Sequence, residues 1–184
     1  MSLAPSETPS PVVRAAAQSN IMLLAQGAEL IDRLGAASYG VKIARCFNSS
    51  AGGHFRHTIE HYRALLAALN SGEVDYEGRA RDERIETDAA HARGIIDELR
   101  LGFEKMVTDE LPDRPLLVKA ETVTGHQLKT SLARELEFLI SHTVHHYALI
   151  AVIAGAQDVV PPPNFGMAPS TLKHLQTPSI ACAH

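Results

Sequence analysis

Apolar side chains recur at three- and four-residue steps in four long stretches of this chain, the period of a helix that buries one face. Ile21, Leu24, Ala28, Ile31 and Leu34 form the first stripe, which begins at Ala15 and meets stop signals at Gly35 and Gly40. Ser49 or Ser50 caps a second helix running to Asn70, with Phe55, Ile59, Tyr62, Leu66 and Leu69 on one face. Thr87 or Asp88 caps a third, turned inward through Ala92, Ile95, Leu99, Phe103 and Met106. The fourth spans Ser131 to Ala154 and sets Leu132, Glu135, Leu139, His142, His146, Leu149 and Ile153 along an inward seam. Four such helices predict an all-α four-helix bundle, an architecture whose metal sites form from side chains on facing helices.

The connections fit that fold. Residues 1–14, with three prolines and three serines, are expected to be a disordered N-terminal arm ahead of a single domain over 15–184. A chain of 184 residues suits one core. DELPDRPLLVKAETVTG is long enough for a crossover along the bundle and carries two β-branched runs that allow a small hairpin. The tail AQDVVPPPNFGMAPSTLKHLQ holds four prolines and is read as irregular until Ser170, where a short helix would lie free to cover a site opening.

Composition narrows the function. A net charge of −4 without any basic block speaks against a nucleic-acid partner. The opening MSLAPSETPSPVVR has neither the basic nor the apolar region of a secretory signal, and no run approaches the ~18 apolar residues of a membrane helix. We therefore expect a cytoplasmic protein with no membrane partner. Cys46 and Cys182 lack CxxC context, so a thiolate zinc site and a disulfide framework have no support. GxSxG, GxGxxG and GxxxxGK[ST] are all absent.

Six of the ten histidines fall in two short helical stretches, His54, His57 and His61 in the second helix and His142, His145 and His146 in the fourth. His142 and His146, four residues apart, put two imidazoles on one face one turn apart, a spacing that suits two ligands of one metal ion. A third imidazole from the second helix would complete a three-histidine site with coordination positions left open. Neutral imidazoles suit a divalent transition metal such as zinc or nickel better than magnesium or calcium. Such an ion acidifies bound water or activates a thiol. At 100° per residue, periodicity alone favours His54 over His57 as the inward member.

The quoted histidine motifs carry a resemblance. SSAGGHFRHTIEHYRALL, VDYEGRARDERIETD, ELEFLISHTVHHYALI and FGMAPSTLKH resemble the DinB-like (DinB/YfiT-like) family of bacterial four-helix-bundle metalloproteins, over roughly residues 15–175. The resemblance implies that Ser50 opens the second helix and that His57, seven positions on, ligates metal with His142 and His146. It also implies a small-molecule substrate, sometimes a low-molecular-weight thiol, and a homodimer. His54 stands as a substitute ligand or as a partner to the ligands. Glu60 and Glu135 are candidate carboxylate partners for ligating imidazoles, or ordinary helix-face charges. His145 is a candidate general acid/base, or a helix-packing residue. Arg79, Arg81 and Arg84 either bind an anionic group or pair with the acids of their own loop. The expected function is a metal-dependent hydrolase or thiol transferase, with Glu60 and His145 as catalytic candidates. The alternative is a non-catalytic metal- or ligand-binding stress-response protein acting as a dimer.

Overall fold

Ser10 and Pro11 start the first helix four residues ahead of its apolar stripe. The Ser10 side chain accepts from the Val13 amide at 3.3 Å, and proline is tolerated in the first turn because its missing N–H has no partner there in any case. The computed structural model describes residues 8–176. The expected arm is thus corrected at its inner end: residues 11–14 are helical, and residues 1–7 lie outside the described part. Helix α1 spans Pro11–Tyr39 and is interrupted at Gly35, whose φ of 60° and ψ of −179° break the helical path without a Cβ penalty.

Helix α2 (Ala51–Ser71) is capped by Ser50, which accepts from the Gly53 amide at 3.0 Å, and closed by Gly72 in the left-handed region at φ 76°. A two-residue strand β1 (Glu73–Val74) and a short helix α3 (Glu83–Thr87) follow. Asp88 then caps α4 (Ala89–Thr108) by accepting from the His91 amide at 2.9 Å. The connector folds into β2 (Pro115–Lys119) and β3 (Gln127–Ser131), an antiparallel pair, with β1 parallel to β2. Helix α5 (Leu132–Gly155), capped by Ser131, and α6 (Pro169–Gln176) complete the order.

The molecule is mostly helical, with one small three-stranded sheet among the described residues. The all-α reading holds in its coarse form: the small hairpin allowed in the connector forms as β2–β3, and β1, at the end of α2, adds a third strand parallel to β2. Helix α1 packs on α4 and α5, and α2 packs on α5, α3 and α4. Between them lie Leu24, Phe55, Ile59, Ile96, Phe103 and Leu136, all buried. Gly52 lets α3 approach α2, since a Cβ there would stand 2.0 Å from the Glu86 carbonyl oxygen.

Of the expected inward seam of α5, Leu132, Glu135, Leu139 and Ile153 are buried as expected, and the stretch between Leu139 and Ile153 is corrected. Leu136, Leu139, Thr143, Tyr147, Ile150 and Ala154 are buried, whereas Leu149 is 38% exposed and His142 and His146 are half-buried. Both registers satisfy a four-three period, and the one that buries more apolar surface faces the core. This leaves the histidines at the edge of the α2–α5 contact. By length and mean hydropathy, 1.4, α5 is apolar enough to cross a membrane, a property that core helices share; 39% of that stretch is buried in this fold.

Helix α6 does not lie over the histidines. With Ala15, Ser19, Glu137 and Ser141 it borders a cavity of about 510 Å³ on the α1 side of α5.

Candidate metal centre

Facing turns of α2 and α5 bring five imidazoles together. His57 Nε2 lies 3.0 Å from His142 Nε2, and His54 Nδ1 lies 3.1 Å from His146 Nδ1. The His61 ring centre is 4.0 Å from that of His142 and 4.4 Å from that of His57. His57, His61 and His142 each offer a nitrogen such that all three lie within 4.8 Å of one another, close enough to share one ion. The expected third ligand, His146, is adjacent, its ring centre 4.5 Å from His57 and 4.6 Å from His142, but its Nδ1 faces His54. His145 is exposed and meets only the edge of the His146 ring among the aromatic contacts, at 5.2 Å.

Hydrogen bonds assign the protons. His61 Nδ1 lies 2.7 Å from the His57 carbonyl, which can only accept, so His61 donates there and keeps its Nε2 lone pair free. Arg79 Nη1 lies 2.7 Å from His57 Nδ1. A guanidinium only donates, so His57 accepts at Nδ1 and donates from Nε2 to His142 Nε2. The remaining proton of His142 sits on Nδ1, a buried atom with no partner among the described residues. Arg79 Nη1 also stands 3.2 Å from His61 Nδ1, two donors facing each other.

Burial keeps these imidazoles neutral. Desolvation, followed by the neighbouring histidines and Arg79, lowers His57 to about 3 and His142 to about 2. His146 falls to about 4 through burial first and then His54 and His145. His61 also falls to about 4 through burial, partly offset by its bond to the His57 carbonyl. His54 is lowered by burial and by His145. At neutral pH the group therefore offers lone pairs rather than charge, as a metal site requires.

The two carboxylate candidates are buried but bonded elsewhere. Glu60 Oε1 accepts from the Asp82 amide at 2.9 Å and so ties the loop before α3 to α2. Glu135 accepts from the Tyr76 hydroxyl at 2.8 Å and the Thr130 hydroxyl at 2.6 Å. Tyr76 in turn stacks on His61 at 5.1 Å between ring centres, so Glu135 acts on the cluster through that ring. A cavity of about 360 Å³ opens beside His54, His57 and His146, bounded by Lys42, Ser50 and Arg56.

Sequence reasoning left His61 unassigned and treated Arg79 as one of three loop cations. The signal for His61 was present: His57 and His61 have the same four-residue spacing that singled out His142 and His146. Tyr76 and Arg79 come from the loop after β1, and no periodicity could place them. Of the other two arginines, Arg84 pairs at 3.4 Å with Asp88, the cap of α4, rather than with an acid of its own loop.

No family model matches this chain, and no solved structure matches it. A protein of Rhizopus delemar named FK506-binding protein 5 is 32% identical over 107 residues, 56% of this chain and 28% of that protein. The chain thus spans under a third of the relative's length.

Proposed function

We propose that this chain is a divalent-metal-dependent enzyme of the DinB-like class. In this reading α1, α2, α4 and α5 form its four-helix bundle, and one zinc or nickel ion is held at the α2–α5 edge. His57 and His142 are two of the ligands, and His61 is the third, with His146 beside it as a further donor. The observation that carries the reading is the convergence of His57, His61 and His142 nitrogens within 4.8 Å from two helices. The donor set supports it: His61 holds a free Nε2, and His142, protonated at its buried Nδ1, turns the lone pair of its Nε2 toward His57.

A bound ion would supply Lewis acidity to a water or a low-molecular-weight thiol. The chain supplies the rest. Tyr76, held by Glu135, fixes the ring of His61. His54 and His146 line the adjoining cavity, whose opening favours an enzyme over a closed structural site.

Metal analysis of untagged protein tests this. One zinc or nickel per chain is expected in the wild type and none in His142→Ala. Comparing His61→Ala with His146→Ala identifies the third ligand by which variant loses the ion. Equal metal content in the wild type and His142→Ala would remove the proposal.

A further inference from the structure

A guanidinium occupies the place where two imidazoles of α2 meet. Arg79 contacts His57 Nδ1 and His61 Nδ1, its Nε is buried without a partner, and it forms no ion pair among the described residues. The nearby acids are engaged: Asp75 with Lys119 and the Gly78 amide, Glu86 with Arg56, and Glu60 with the Asp82 amide.

A neutral imidazole has one N–H, and this makes the Arg79 contact exclusive of metal ligation by His57. Ligation through Nδ1 takes the lone pair that Arg79 uses. Ligation through Nε2 moves the proton to Nδ1, where it would face a second donor. An ion on His57 therefore displaces Arg79 whichever nitrogen it takes.

Charge indicates what the displaced arginine then does. Neutral imidazoles bring no counter-charge to a divalent ion, and Arg79 adds another positive charge beside it. The buried carboxylates on the two helices, Glu60 and Glu135, are committed to the Asp82 amide and to the Tyr76 and Thr130 hydroxyls. Resting on the metal reading above, we propose that Arg79 guards His57 until an ion is bound and then anchors an oxyanion group, carboxylate or phosphate, of the ligand. Its planar fork presents paired N–H donors that match two oxygens of such a group. Lys42, exposed at the rim of the adjoining cavity, adds a second cation.

The test uses the full chain with zinc, benzoate, benzamide and inorganic phosphate. Wild-type protein that takes up no zinc overturns both this proposal and the metal reading. With zinc bound, at least one of benzoate and phosphate is expected to bind the wild type about 10- to 100-fold tighter than Arg79→Gln. Benzamide, neutral and of similar shape to benzoate, is expected to distinguish the two proteins little. The tighter of the two oxyanions identifies the ligand class. Arg79→Gln is expected to take zinc at least as tightly as the wild type, and 15N NMR before zinc addition to place the His57 proton on Nε2. Equal oxyanion affinity in the two proteins, weaker zinc binding by Arg79→Gln, or a His57 proton on Nδ1 overturns the role of Arg79 while leaving the metal reading standing. Arg79→Lys, which keeps the charge and loses the fork, is expected to fall between them and carries the comparison if the glutamine variant does not fold.

Discussion

His61 and Tyr62 are neighbours in α2, as are His142 and Thr143 in α5, yet the two pairs belong to regions built on opposite principles. Tyr62 and Thr143 point into the core and close a network: Thr143 donates to the Tyr62 hydroxyl at 3.0 Å, Tyr62 donates to Asn20 Oδ1 at 2.8 Å, and Asn20 donates to the Ala16 and Leu136 carbonyls. Each of these side chains finds a partner. One step round the same helices, His142 has an orphaned nitrogen, Arg79 from the loop after β1 faces a second donor on His61, and burial depresses every imidazole of the cluster. Polar groups buried for structure are satisfied within the chain. A buried cluster left short of partners has the character of a binding region.

A divalent ion should separate the two regions by the widest margin. At a hundredfold excess over its dissociation constant, zinc or nickel is expected to stabilise the fold by about 2.7 kcal/mol. For a chain of this size that corresponds to roughly 5–10 °C in Tm. Melting curves with ion and with chelator measure it, and identical curves would break the distinction. Tyr62→Phe acts on the other region: it leaves Asn20 and Thr143 short of a partner and should cost about 1–3 kcal/mol in urea unfolding. Zinc content should not change, and its loss in this variant would show that the two regions are one.

Acid sharpens the comparison further. The clustered imidazoles have folded pKa values below the unfolded value of 6.5. As pH falls through 6.5 the unfolded chain takes up protons that the folded chain refuses, so stability declines down to the folded values of about 2 to 4. Urea titrations at stepped pH in the presence of chelator should show this decline in the wild type and a shallower one in His57→Leu/His142→Leu. A parallel pair of profiles would assign the acid sensitivity to other groups. The smallest effect is expected at His145, exposed at the rim: His145→Ala should change stability by less than about 0.5 kcal/mol and retain zinc. A large loss of zinc would move His145 into the site.

Much of the fold was legible in the sequence because local signals agreed with tertiary packing. Ser50 and Asp88, each one of two candidate caps, cap α2 and α4, α5 begins within a residue of the expected Ser131, and Ala92, Ile95, Leu99, Phe103 and Met106 are buried as their period implies. The start of α1 was missed because Ser10 and Pro11 sit in a Pro/Ser-rich stretch, although that pair is itself a helix-opening signal. The ends of the α5 face, Leu132, Glu135, Leu139 and Ile153, were legible, but its middle was misjudged because two registers fit one period, and only the bulk of packing at Tyr147 and Ile150 separates them. At the histidine cluster, spacing located the two helices and the His142/His146 pair, periodicity pointed to His54, and His57 came from the family resemblance. Arg79 and Tyr76 depended on where a loop settles, which depends in turn on Glu60 holding the Asp82 amide.

The most direct test is X-ray absorption at the metal edge on the zinc-loaded full chain. The account predicts a first shell containing three imidazole nitrogens at about 2.0–2.1 Å, reduced to two in His57→Ala. A shell of oxygen or sulfur without imidazole scattering, unchanged in that variant, would contradict it.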